Sequence, residues 1–129
     1  MNDLEFTGCI VKQAREDMGW SQEQLAEMLG IDLETMRKYE AGEDAVYTDV
    51  FLKTVFLLNM SADICIHAKH DESGLLMDRL LRQLIKLEPD QILMVCKAAI
   101  NLRSWKDSNP EVKTWDDFVS YNRQQDNPE

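Results

Sequence analysis

The chain has 129 residues, a length that suits one or two small domains and leaves no room for a second, free-standing catalytic domain. With 44% hydrophobic and 29% charged residues it matches ordinary globular usage, which excludes wholesale disorder and a membrane protein. Fourteen Lys and Arg against 24 Asp and Glu give a formal net charge of -10, which argues against tight non-specific binding to a polyanion.

Three prolines and five glycines are few for an all-β chain, which needs a turn cluster every ~8 to 12 residues, so the elements are expected to be helical. Between Phe6 and Met18 the apolar Ile10, Val11, Ala14 and Met18 recur at helical steps, and Gly19 ends this first helix. Ser21-Gln22-Glu23-Gln24 is a capping box, in which the Ser21 hydroxyl accepts from the Gln24 amide while the Gln24 side chain reaches back to the Ser21 amide. The second helix turns Leu25, Ala26 and Leu29 inward and stops at Gly30, where a left-handed conformation meets no Cβ clash. Asp32 caps a third helix that runs to about Ala41 and is ended by Gly42.

Thr48 is read as the cap of a fourth helix, whose Val50, Phe51, Val55, Phe56 and Leu58 predict a largely buried element. Ser61 caps a short fifth helix through Ile64, Cys65 and Ile66. The segment 67–74 is polar and lies between two apolar patterns, so the domain boundary is placed there, after residue 70. Beyond it, Leu76, Leu80, Leu81, Leu84, Ile85 and Leu87, with Arg79, Arg82 and Lys86 interleaved, predict a helix over 75–87. Pro89 opens the next helix, which continues through Leu102, and the two are expected to pair as a helical hairpin. After a break at 107–110, Thr114 with Asp117 caps a last helix carrying Trp115, Phe118, Val119 and Tyr121 on one side, and the tail 123–129 is expected to be frayed.

Cys9, Cys65 and Cys96 are odd in number and lack CxxC spacing, which suggests neither a disulfide framework nor a structural zinc site. The acidic start Met1 to Glu5 is not a signal peptide, and no stretch approaches the ~18 apolar residues of a membrane span, so a cytoplasmic location is expected. Cys65, His67 and His70 match no familiar zinc pattern; no metal and no cofactor are expected, and both histidines are read as surface groups. Two of the cysteines lie in apolar runs where a thiol stays protonated, and neither paired carboxylates nor a glycine-rich phosphate loop stand out, so no enzymatic activity is expected. The aromatic group Trp105, Trp115, Phe118 and Tyr121 is read as packing or interface surface.

The most informative stretch runs from Arg15 to Gly42: two short helices joined by a tight glycine turn, a helix-turn-helix whose second helix can lie in a DNA major groove. Ala26 stands where a small side chain lets the helices cross closely, and Ile31 and Met36 plug the angle between them. Arg15, Gly19, Ser21-Gln22, Leu25-Ala26, Leu29-Gly30-Ile31, Thr35, Met36, Glu40 and Gly42, with Leu58 and Ile64 beyond, closely resemble the Cro and phage repressor-type helix-turn-helix family, also called the xenobiotic-response-element (XRE) family. The resemblance covers about Phe6 to His70 and implies a five-helix, lambda-repressor-like fold. It implies sequence-specific DNA binding, most often as a dimeric transcriptional repressor.

By that resemblance, Gln22 at the start of the second helix contacts a phosphate, helped by the partial positive charge of the helix N-terminus, or else serves only as helix-terminal filler. Leu33, Glu34, Arg37 and Lys38 occupy the exposed positions that read bases; the alternative for Arg37 and Lys38 is a pair of solvated surface cations. Arg15 and Glu40 match a structural salt bridge that ties the first helix to the end of the recognition helix. Against the family pattern, Glu34 is acidic, Leu33 is apolar, and Gly42 is followed by Glu43 and Asp44. Residues 1–70 hold 13 acids and six Lys or Arg, a balance of -7, and specific binding stays open if Lys12, Arg15, Arg37, Lys38 and Lys53 gather on one face, because local potential matters more than net charge.

The sequence therefore predicts an all-α protein: a helix-turn-helix DNA-binding domain over 1–70, then a helical hairpin and a short last helix over 71–129 that pack or dimerise. The expected function is a DNA-binding transcriptional regulator, a repressor acting as a homodimer on a near-palindromic operator in double-stranded DNA. The alternative is an antitoxin-like or anti-regulator module whose acidic surface binds a basic protein partner and uses DNA weakly or not at all.

Overall fold

The computed structural model describes residues 1–126, and within them there are eight helices and no strand. The helices divide between two compact units, Met1–Lys86 and the remainder from Leu87. The first unit holds α1 (Asp3–Asp17), α2 (Gln22–Leu29), α3 (Leu33–Ala41), α4 (Thr48–Leu58), α5 (Ala62–His67) and α6 (Glu72–Leu84); the second holds α7 (Pro89–Ser108) and α8 (Trp115–Asp126).

Local chemistry sets the helix ends. Asn2 starts α1 earlier than the apolar pattern suggests, its side chain accepting from the Glu5 amide at 2.9 Å. The capping box at Ser21 and Gln24 is formed in both directions, and Asp32 accepts from the Thr35 amide at 2.7 Å. Gly30 and Gly42 close α2 and α3 at φ 70 and φ 71, a region where an L side chain would be strained. The residue capping α4 is Tyr47, without a side-chain hydrogen bond, and Thr48 is already the first helical residue.

The core of the first unit is built around α1. Phe6, Ile10, Val11 and Ala14 are fully buried against Leu25, Met36 and Leu58 from α2, α3 and α4, with Ile64 and Cys65 from α5 joining them. Each large side chain so enclosed contributes roughly 1.5–3 kcal/mol of transfer free energy. Ala26 is buried at the α2–α3 crossing, and Met36 is enclosed with Ile31 half-buried beside it. Gly8 lets α3 approach α1 more closely than any side chain would, since a Cβ there would lie 2.7 Å from the Tyr39 carbonyl oxygen.

Two expectations need correction. Helix α4 is not largely buried: Thr54 and Leu58 are enclosed, but Leu52 and Phe56 are 57% and 81% exposed, because its apolar residues encircle the helix while only one face meets the core. His70 is not a surface group; its ring stacks on Phe6 at 4.5 Å and its Nδ1 lies 2.8 Å from Asp3. The first compact unit continues past residue 70 to Lys86, with Asp71 capping α6 and Gly74 bringing that helix against the Phe6 ring. The two helices expected as a hairpin thus fall in different units.

Helix α6 meets the core with a polar stripe. Gly74, Asp78 and Arg82 are its buried residues, while Leu76, Met77, Leu80 and Leu81 are exposed. Arg82 explains the inversion: its Nε donates to Asp78 at 3.0 Å and its Nη1 to Asp17 at the end of α1 at 2.9 Å. Arg79 adds a longer contact to Asp17 at 3.6 Å. Burial pushes the Asp78 carboxyl upward, with the Arg82 hydrogen bond and charge opposing, and its Oδ1 has no hydrogen-bond partner among the described residues.

In the second unit α7 has no buried residue, while Val112 in the connector is enclosed. Trp105 makes edge contacts with Phe118 at 5.6 Å and Tyr121 at 4.9 Å, which hold α8 to α7. Helix α8 continues through 123–126, so that part of the expected frayed tail is helical; 127–129 lie outside the described residues. Among the described residues no helix is long and apolar enough to cross a membrane.

Candidate nucleic-acid interface

Glu40 organises the site. Its carboxylate is buried at the end of α3, where it receives Arg15 Nε at 2.5 Å and Arg15 Nη2 at 3.2 Å from α1. Gln22 Nε2, from the first turn of α2, donates to the other Glu40 oxygen at 2.7 Å. The remaining Arg15 branch donates to the Trp20 carbonyl at 2.8 Å, so the guanidinium also holds the turn between α1 and α2. These bonds raise the Arg15 pKa above its already high ordinary value, chiefly through the hydrogen bond to Glu40.

Three helix ends are thereby fixed to one carboxylate. Arg15 is buried and each of its three side-chain nitrogens donates within the fold, so it adds no surface cation to the group proposed from the sequence; Lys12 and Lys53 are exposed. Gln22 is half-buried and its amide group is turned to Glu40, a partner that spacing alone gave no reason to expect.

The outward face of α3 carries the remaining candidates. Glu34 and Arg37 are exposed, and Leu33 and Lys38 are half-buried. Each cation on this face already has an acid nearby: Arg37 Nη1 lies 3.9 Å from Glu34, one helical turn back, and Lys38 Nζ lies 3.8 Å from Asp44 in the following loop. Exposed pairs at such distances are worth only ~0–1 kcal/mol, so they are easily exchanged for another anion, but they lower the local positive potential. The acids at Glu43 and Asp44 were visible in the sequence; the pairing of Asp44 with Lys38 was not.

Residues 11–52, from within α1 to the first turns of α4, match a family model described as helix-turn-helix. They form an XRE-type helix-turn-helix domain. No curated protein and no solved structure matches the chain. A helix-turn-helix domain of this kind suggests DNA binding and transcriptional regulation. In this one, α3 is the second helix of the motif, and Gly8, just before the matched segment, sets its distance from α1. A glycine inside a helical pattern costs ~1 kcal/mol against alanine, and that cost was the available signal for a close approach.

Proposed function

We propose that the chain is a sequence-specific DNA-binding transcriptional regulator, acting as a repressor and as a homodimer on a near-palindromic operator. The observation that carries this reading is α3 itself, clamped through Glu40 to α1 and α2 while its outer face stays open to solvent. In the proposed complex Arg37 and Lys38 meet base edges or phosphates, Leu33 touches a thymine methyl, and Glu34 accepts from a cytosine amino group. The backbone amides at the start of α2, that of Gln22 among them, face a phosphate while the Gln22 side chain stays on Glu40. The proposal includes a cytoplasmic location, beside the DNA it acts on.

Dimerisation has its own support: Leu76, Met77 and Leu80 of α6, and Ile92, Leu93 and Met94 of α7, are exposed apolar residues of the kind a subunit contact covers. We assign 1–70 to DNA contact and the helices beyond to dimer contact. In a two-fold dimer the recognition helices stand about 34 Å apart, one DNA turn.

A second reading rests on the two acid-paired cations of α3 and the balance of -7 over 1–70. In it the fold serves as an antitoxin-like or anti-regulator module that binds a basic protein. Fluorescence anisotropy separates the readings: the protein is titrated against the DNA upstream of its own gene and against a scrambled duplex, at low and moderate salt. Preference for the upstream duplex that weakens with salt supports the regulator, because phosphate neutralisation gives a salt slope of ~0.9 per contact. Equal or absent binding at low salt moves the weight to a protein partner.

A further inference from the structure

The second unit contains a cavity that the DNA-binding reading does not use. It is a broadly open recess between the C-terminal half of α7, the connector and the start of α8, with a volume of about 330 Å3. Small-molecule sites begin at roughly this size. Its body is aromatic and apolar: Trp105, Val112, Trp115 and Phe118 supply the walls, with Trp105 edge-on to Phe118 and Trp115 tilted against it at 5.5 Å. Trp115 is 74% exposed, an unusual position for so large an apolar surface in a site with nothing to cover it.

The charges on this cavity have one sign. Its ionisable lining groups are Lys106, from the last turn of α7, and Lys113, from the connector. Asp107, Glu111, Asp116 and Asp117 adjoin lining residues in the chain but do not line the cavity, and Asp117 is committed elsewhere: it accepts from the Lys113 amide at 2.9 Å and the Thr114 amide at 3.1 Å. Those bonds hold its pKa below the usual carboxylate range. Each lysine has a flexible stem that can bring its ammonium to an anion at the open side.

We propose that this cavity binds a small aromatic carboxylic acid, its ring stacked among Trp105, Trp115 and Phe118 and its carboxylate met by Lys106 and Lys113. The volume limits the ligand to one or two rings, and the paired lysines select an anion over a neutral or cationic molecule of the same shape. The site is confined to the second unit and stands whether or not the first unit binds DNA.

The test uses the full chain, labelled with 15N, and follows its three tryptophan indole N–H signals, of which Trp20 lies in the first unit and serves as internal control. Indole-3-acetate is the probe; indole-3-ethanol and tryptamine carry the same ring with a neutral and a cationic tail. The expected result is saturable movement of the Trp105 and Trp115 signals with the acid, a still Trp20 signal, and binding about fivefold weaker with the alcohol and weaker again with the amine. Lys106→Ala with Lys113→Ala, both surface changes, is expected to bring the acid to the level of the alcohol. No movement at millimolar acid, equal response to all three probes, or an acid response unchanged in the double variant overturns the proposal. So does movement of the Trp115 signal with protein concentration alone, which makes the cavity a contact between copies of the chain.

Discussion

Arg15 and Glu40, 25 residues apart, form a two-bonded ion pair in which both side chains are nearly enclosed. Replacing only Arg15, as Arg15→Leu, leaves a buried carboxylate with the Gln22 amide as its remaining side-chain partner and is expected to cost about 3 kcal/mol. Urea unfolding at pH 7 measures it. Adding Glu40→Leu to the same chain removes the stranded charge and is expected to restore part of that loss; a double variant no better than the single one shows that the pair acts through packing instead.

On the outer face of α3, Arg37→Ala with Lys38→Ala is expected to abolish specific DNA binding and leave the helical circular dichroism signal and the melting temperature unchanged. Asp44→Asn goes the other way. It removes the acid beside Lys38 and is expected to tighten DNA binding by about threefold at low salt, the scale of an exposed ion pair. Anisotropy titrations of the two variants read both effects, and survival of binding in the double variant removes α3 from the interface.

Gly8→Ala places a methyl group against the Tyr39 carbonyl, where backbone must move. Alanine improves helix propensity by up to ~1 kcal/mol, yet the crowding outweighs it, and a net loss of about 2 kcal/mol is expected in urea unfolding. Stability equal to or above the unmodified chain shows that α1 and α3 can separate without penalty.

Acid gives a directional check on Asp78. Its folded-state pKa lies above the unfolded value, so the folded chain takes up this proton first, and the group adds stability as the pH falls toward and through that raised value. Asp78→Asn lacks the effect. The difference in unfolding free energy between the two proteins is therefore expected to shift against the variant between pH 7 and pH 4, as read by urea titrations at each pH. A constant difference shows that Asp78 does not titrate differently on folding.

Much of the first unit was legible because its signals are local. Ser21 with Gln24, Asp32 and Ser61 each meet an amide three residues on, and a hydrogen bond of that span can be read directly from spacing. The same holds for Gly30 and Gly42, where the pattern breaks after an apolar turn. What was not legible depends on partners far apart in the chain. Gln22 with Glu40, Arg82 with Asp17 and His70 with Asp3 are pairs that no window of sequence contains. Helix α4 was misjudged for a related reason, since composition reports how apolar a helix is but not how many neighbours it will have. Periodicity located the apolar stripe of α6 correctly, and only the tertiary structure shows that its opposite stripe faces the core.

That reversed orientation of α6 changes which substitutions the first unit can tolerate. The usual rule, that leucines resist replacement and charged residues accept it, runs backwards along this helix. Leu76 and Leu80 can become polar at little cost to the fold of the unit, whereas an isosteric change at Arg82 strands Asp78 inside it and one at Asp78 leaves Arg82 to Asp17. Sequence drift in α6 is therefore free to redesign the surface offered to partners while the anchoring residues stay fixed, so the helix can change what it meets without changing how it is held.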